Sequence, residues 1–350
     1  MKIAFIIPSL VNQGPIVVVH NIVTALLDKT DVIIHVYYFD DKKGLDFSCP
    51  TIRISMNQSI DFDQYDVIHS HCLRPDKYVA KWKRKSKIKR AVTISTLHQD
   101  TYKTFSYEYN KLLAYLLTRY WLYFQNKFDV VTTISNQLNN QYSPFLKKLI
   151  TIYNGCSVDN NVLTERDTGL DKAILKLHEK YRVLGSYALI TKRKGLCQVL
   201  EFLKRNTDYA FVLIGDGPAL NELKELADKY SLSDRVLFHP YVKNPYCYLD
   251  NIDVYVMTSY SEGFGLSMVE AALEGKAIVC SDIPSFNEIF TREEASFFEL
   301  DNIESLQCAI EFAYHRKKIL GEKAYKKAVL KFSSNIMADN YLKLYSDFIR

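Results

Sequence analysis

Ser259-Tyr-Ser-Glu262-Gly263-Phe264-Gly265-Leu266-Ser-Met-Val-Glu270 places two carboxylates eight positions apart, with a Gly-Phe-Gly turn directly after the first. The run before it, Ile252-Asp-Val-Tyr-Val-Met257, reads as a buried strand, and the run after it reads as a helix ending at Gly275. A strand, a Gly-rich loop and a helix start aim backbone N–H groups and the positive end of a helix dipole at whatever sits above the loop. Glu270 falls in the first turns of an otherwise apolar helix, where a carboxylate is costly to bury unless donors meet it. Anion-binding amides beside carboxylates suit a ligand that carries both phosphates and hydroxyls. Spacing alone equally allows an ordinary strand–helix unit with a solvated Glu at each end.

Outward from this stretch, strands and helices alternate along the whole chain, which argues for parallel sheets covered by helices on both faces. In the first half, strands are expected at Lys2–Pro8, Val32–Phe39, Val67–His71, Ala91–Leu97, Val130–Ile134 and Leu149–Ile152. The helices between them include Ile16–Leu27 and a long one near Tyr107–Phe124, whose Leu113, Leu117, Tyr120 and Phe124 recur at helical spacing as a core face. The turn-rich stretch from Asn154 to about Gly169 reads as an interdomain linker. Strands then resume at Tyr181–Leu189, Ala210–Ile214, Val236–Phe238, Val254–Met257 and Ala277–Cys280. A Ser-capped helix closes the chain, with Met337, Tyr341, Leu344 and Phe348 on one face.

The chain of 350 residues is long for one core and suggests two domains. No stretch approaches the ~20 apolar residues that span a bilayer, and the nearest, Leu112 to Phe124, is broken by Arg119. Seven cysteines stand singly, without a Cys-x-x-Cys pair, which argues for reduced thiols and a cytoplasmic location. Net charge is +5, but Lys77-Tyr-Val-Ala-Lys-Trp82-Lys-Arg-Lys-Ser-Lys-Ile-Lys-Arg90 contains no acid. That run suits an anionic membrane surface through its lysines and Trp82, or is a solvated helix face; nucleic acid is the weakest of the three readings.

The motif from Glu262 to Glu270 resembles the E-x7-E signature of retaining glycosyltransferases of the GT-B fold, glycosyltransferase family 4 (glycosyl transferases group 1). The match extends through Glu274-Gly-Lys-Ala-Ile-Val-Cys-Ser-Asp282 to Glu288. It implies two doubly wound Rossmann-like domains facing across a cleft. The acceptor-binding domain would span 1–165, joined by a returning C-terminal helix at 333–350, and the nucleotide-sugar domain would span 170–332. Thr191-Lys192-Arg193-Lys194-Gly195 resembles the family's Arg…Lys-Gly pair, whose cations hold the leaving phosphates. Lys194 matches the Lys. The family's Arg falls near Ala188 or Leu189, where this chain has none, and Lys192 or Arg193 is left to replace it.

By the same resemblance, His98 in Thr96-Leu-His-Gln-Asp100 corresponds to a cleft histidine beside the transferred sugar. Gly14 stands where the family carries glycines near phosphate or acceptor, although a plain tight turn is also consistent. Gly215, in Ile214-Gly-Asp-Gly-Pro218, lies beside the nucleotide, and Tyr241 and Val242 follow the turn that contacts the base. Glu270 would bind ribose hydroxyls, Glu262 the sugar, and the amides of Gly263, Phe264, Gly265 and Leu266 phosphate or sugar hydroxyls. His69, His71 and Cys72 resemble metal ligands by composition but lack a partner pair, and Asp61-Phe-Asp63 imitates an Asp-x-Asp metal motif in a polar connection. No metal or other cofactor is expected.

The implied activity is hexose transfer, with retention, from a nucleotide diphosphate sugar (uridine favoured) to a hydroxyl of a glycan or lipid-linked acceptor. The setting would be cell-surface polysaccharide synthesis (lipopolysaccharide or capsule), in the cytoplasm or peripherally on the inner membrane face. A non-catalytic glycan-binding or scaffold subunit of the same fold, and a nucleotide-sugar epimerase, are the alternatives.

Overall fold

The structure is a computed structural model that describes residues 1–85, 87–158 and 166–349. The middle of the expected linker, 159–165, and Ser86 in the basic run lie outside the described residues. Two compact units emerge: Met1–Cys156 with Phe332–Arg350, and Ser157–Lys331.

In the first unit the strands are β1 (Lys2–Ile7), β2 (Ile33–Tyr38), β3 (Thr51–Arg53), β4 (Val67–His71), β5 (Val92–Leu97), β6 (Val130–Thr133) and β7 (Leu149–Thr151). They form a parallel sheet in the order β3-β2-β1-β4-β5-β6-β7. Strands covered on both faces need no polar alternation, and β1, β4 and β5 are accordingly buried along almost their whole length. Its helices are α1 (Gly14–Lys29), α2 (Leu73–Arg84), α3 (Thr101–Glu108), α4 (Lys111–Gln125) and α5 (Asn136–Tyr142).

The second unit contains α6 (Thr168–His178), α7 (Cys197–Arg205), α8 (Leu220–Lys229), α9 (Leu266–Leu273), α10 (Pro284–Ile289), α11 (Ile303–His315) and α12 (Lys317–Lys331). Its strands are β8 (Arg182–Tyr187), β9 (Tyr209–Ile214), β10 (Val236–His239), β11 (Val254–Met257), β12 (Ala277–Ser281) and β13 (Ser296–Phe298). They are ordered β10-β9-β8-β11-β12-β13. Strand order reverses between β1 and β4 in one sheet and between β8 and β11 in the other, the switch points at which doubly wound sheets open a crevice beyond their carboxyl ends.

The last helix, α13 (Ser334–Phe348), crosses back to the first unit. The Ser333 hydroxyl accepts from the Ile336 N–H at its start. Met337, Tyr341 and Leu344 are buried as expected, whereas Phe348 is partly exposed and Ala338 and Tyr345 complete the packed face. The Tyr345 hydroxyl lies 2.8 Å from His69 Nδ1, and Lys29 on α1 pairs with Asp339 at 2.7 Å.

Three expectations are corrected here. The long helix near Tyr107–Phe124 is two helices, because Asn110 caps a new start by accepting from the Leu113 N–H at 2.9 Å. The face assigned to the core, Leu113, Leu117, Tyr120 and Phe124, is not the buried one. Ala114, Thr118, Trp121, Leu122 and Gln125 are buried instead, while Leu113 and Tyr120 are exposed. Trp82 is the third correction: it packs with Tyr78 and Val79 in the core of the first unit, so the basic run offers no tryptophan to a surface. Within that run Lys81 donates to the Met56 carbonyl at 2.7 Å and Lys83 pairs with Asp129 at 2.8 Å, so part of its charge serves the fold. The short strands β3 and β13 were not anticipated.

Candidate active site

The loops that follow β8 and β11 meet at the second unit's switch point. After β8, a short turn over Lys192–Lys194 ends at Gly195, which is in the left-handed conformation with φ +58°. After β11, the chain runs through Ser259–Gly265 and enters α9 with Gly265 as its N-cap. The two loops are stitched by backbone, the Tyr260 N–H donating to the Arg193 carbonyl at 2.9 Å.

Glu262 is the centre of this junction. Its Oε1 accepts from Lys194 Nζ at 2.6 Å and from the Ser259 hydroxyl at 2.8 Å, and its Oε2 lies 3.1 Å from the Arg193 guanidinium. Its side chain is only 10% exposed. Burial by itself would raise the carboxyl, but the Lys194 ammonium and the Arg193 guanidinium outweigh it and hold the group down at about 2. Arg193 also donates to the Ser261 carbonyl, which fixes its plane against the loop. Lys192 is turned away, 80% exposed and paired with Glu222 on α8. Of the two cations left open for the second position, Arg193 is therefore the one beside Lys194. At Ala188 and Leu189, where the related pattern carries its Arg, Leu189 is exposed.

Glu270 sits one helical turn into α9. Burial raises its carboxyl, and the Tyr187 hydroxyl opposes this by donating to Oε2 at 2.8 Å. Tyr187 ends β8, so the hydrogen bond ties the strand end to the helix across the switch point. Tyr187, Lys194, Ser259 and Ser267 line one small pocket together with Leu196 and Met257. Tyr187 and Ser259 were not singled out from sequence. The Ser three residues before Glu262 was a legible signal, whereas nothing local to Tyr187 points at Glu270.

The loop after β9 is the third side of the site. Gly215 has φ +142°, and a Cβ there would lie 2.0 Å from the Ala188 carbonyl oxygen, so only glycine fits. The neighbouring Asp216 accepts from the Tyr241 N–H at 2.8 Å, which holds the expected base-contacting segment, half-exposed Tyr241 and then Val242, against this loop. Gly263, Phe264, Gly265 and Leu266 form the turn into α9; Phe264 is itself buried.

Two expected site residues belong to the first unit. His98 follows β5 and is buried, with Nε2 2.7 Å from His71 Nδ1. Burial lowers it to about 3, so its ring is neutral at physiological pH. His69 and His71 stack at 4.3 Å between ring centroids, and His69 Nε2 is 2.7 Å from the Thr96 hydroxyl. Among the described residues no His/Cys/Asp/Glu group has the arrangement of a metal site. Gly14 opens α1 with an ordinary φ and nothing within 4 Å of a Cβ, so neither strain nor packing requires glycine there.

A doubly wound unit with a carboxylate ion-paired to two cations at its switch point is suited to a phosphate-bearing ligand, and sequence comparison specifies the family. Residues 167–328 match the family model Glycosyl transferases group 1, and residues 12–160 match Glycosyltransferase Family 4. The chain belongs to this family of glycosyltransferases, and its architecture is GT-B. The O-antigen biosynthesis glycosyltransferase WclY of Escherichia coli is 28% identical over 100% of this chain and 99% of its own. Among solved structures, sucrose-phosphate synthase from Thermosynechococcus elongatus superposes with a TM-score of 0.79 at 17% identity, covering 99% of this chain and 98% of that one. Anabaena HepE, solved in complex with UDP-glucose, gives 0.79 at 17% identity over 99% of this chain and 100% of its own.

Proposed function

We propose that this glycosyltransferase moves a hexose from a UDP-sugar, with retention of anomeric configuration, to a hydroxyl of a glycan or lipid-linked acceptor during surface-polysaccharide synthesis. The observation that carries the reading is the buried Glu262 carboxylate, ionised and held by Lys194 and Arg193 where the loops after β8 and β11 converge. A site so charged meets a sugar hydroxyl with an acceptor and a diphosphate with donors. The similarity to HepE, a structure containing UDP-glucose, and to WclY, an O-antigen enzyme, supports the donor and the pathway class.

In the proposed reaction the bond between the anomeric carbon and the β-phosphate oxygen breaks as the acceptor oxygen attacks on the same face. The acceptor's proton passes to the departing phosphate oxygen, so no protein nucleophile is needed. Lys194 has three N–H donors and uses one on Glu262. The others are available to the diphosphate, whose negative charge grows as the bond breaks, and Arg193 adds a second positive charge. These two cations and the N-terminus of α9 do the work of a metal ion, so activity is expected to survive chelation. Glu270, with Tyr187 behind it, receives the ribose hydroxyls. Neutral His98 contributes a hydrogen bond to the transferred sugar. Gly215, Tyr241 and Val242 line the nucleotide side, and Lys192 is peripheral to it. The first unit selects the acceptor.

A thermal-shift comparison of UDP, GDP and their sugars tests the donor, because a ligand bound only by the native state raises its stability by mass action. Stabilisation by UDP and a UDP-hexose is expected. Stabilisation by GDP alone would overturn the choice of base. Donor turnover without any acceptor, with epimerised product, would favour the epimerase.

A further inference from the structure

Helix α4 is apolar on the side that faces away from the protein. Nine of the 21 large apolar side chains exposed among the described residues fall between Tyr102 and Tyr123, on α3, α4 and their junction. On α4 the outward residues Leu112, Tyr115, Leu116, Tyr120 and Tyr123 recur at three- and four-residue steps and so share one face. Leu112 is 71% exposed, and Tyr115, Leu116 and Tyr123 each exceed 50%. A contiguous patch of this kind marks an interaction site rather than ordinary surface.

The border of the patch says what covers it. Residues 101–128 contain four basic side chains, Lys103, Lys111, Arg119 and Lys127, against the single acid Glu108. The Lys77 ammonium on α2 lies 5.6 Å from the Tyr120 ring centroid, and Lys127 lies 4.8 Å from that of Tyr123. The acid-free run that starts at Lys77 thus borders the same face, with Arg84, Lys85, Lys87, Lys89 and Arg90 exposed beyond it. Leucines at the centre, tyrosines with an apolar ring and a polar tip, and a cationic rim match the headgroup region of an anionic bilayer. A second copy fits less well, because an isologous pairing of this face would bring like-charged rims together.

We propose that the outward face of α3 and α4 docks this protein on an anionic lipid surface, with Leu112 and Leu116 entering the acyl boundary and Lys77, Lys111 and Arg119 reading the headgroups. The face lies on an element that none of the candidate site residues occupies. Attachment is interfacial, since no described helix is long and apolar enough to cross a membrane.

The test is flotation of the full chain with vesicles of equimolar phosphatidylglycerol and phosphatidylcholine, or of phosphatidylcholine alone, without sugar nucleotide, so that the result is independent of the transferase reading. Binding to the anionic vesicles, weakened by salt, is expected. Leu112→Ser with Leu116→Ser should weaken it by about tenfold or more, and Lys77→Glu with Lys111→Glu should remove its preference for phosphatidylglycerol. Thermal melts close to the wild type are expected, because these side chains are largely exposed. Failure of the wild type to float, or unchanged flotation of the leucine variant, overturns the proposal. A wild-type dimer that the leucine variant dissociates overturns it in favour of a second copy.

Discussion

The Tyr187 hydroxyl donates to Glu270 Oε2 at 2.8 Å, joining the end of β8 to the first turns of α9 across the switch point of the second sheet. Glu270 is thereby aimed by a residue 83 positions earlier in the chain. A hydrogen bond to a charged group contributes about 1.5–3 kcal/mol. Tyr187→Phe is expected to weaken UDP binding about tenfold by titration calorimetry while leaving kcat within about twofold. An unchanged Kd would detach Glu270 from the donor.

Lys194 and Arg193 should separate cleanly from Lys192. Lys194→Ala is expected to lower kcat on the order of 10²-fold, the cost of losing one preorganised donor to developing negative charge. Arg193→Ala should act in the same direction, whereas Lys192→Ala, which loses only a solvated pair with Glu222, should stay close to wild type. Single-turnover kinetics with saturating donor decide this. Wild-type chemistry in the Lys194 variant would refute the leaving-group role.

The buried histidines make the first unit sensitive to mild acid. Burial lowers His69 and His98 to about 3 and drives His71 in the same direction. Between about pH 6.5 and the folded values, the unfolded chain binds protons that the native state refuses, so stability falls as pH falls. Asp76 works oppositely: burial raises it to about 7, against hydrogen bonds from Ser70, Trp121 and Ser95, and the native state gains its proton first. Three histidines against one carboxyl leave a net loss of stability as the pH falls across that window. Denaturant melts at pH 7.5 and 5.5 should show it, with His69→Phe reducing the slope. A flat profile would mean that the histidines are not buried as neutral rings.

Two glycines should respond in opposite ways to alanine. Gly215→Ala forces a Cβ onto the Ala188 carbonyl in a left-handed conformation and is expected to cost more than ~2 kcal/mol. Gly14→Ala meets open space at a helix start and should leave the melting temperature unchanged or slightly higher. If Gly14→Ala nevertheless weakens donor or acceptor binding, a ligand approaches that backbone closely. If neither stability nor binding changes, Gly14 has no part in the site.

The site was legible where its chemistry is local. Glu262, Gly265 and Glu270 lie within one strand–loop–helix, and Lys194 announces itself by a basic turn before a glycine. Tyr187 was not legible, because its partner is set by which strands become neighbours. The choice between Lys192 and Arg193 was undecidable for the same reason. Adjacent side chains point in different directions, and only the loop after β11 offers one of them a buried carboxylate.

Periodicity and turn chemistry alone determined that this chain alternates buried strands with helices, and where the carboxylates stand relative to a helix start. They could not decide which face of α4 turns inward, because large apolar side chains stand on more than one face of the helix. The partner decides. Trp121 donates to the buried Asp76 at 2.7 Å and Gln125 to the Ser95 hydroxyl at 3.1 Å. Only the face that carries Trp121 and Gln125 can make these buried hydrogen bonds. The polar groups of α2 and β5 therefore pull the Trp–Gln face inward and leave the Leu–Tyr face outside.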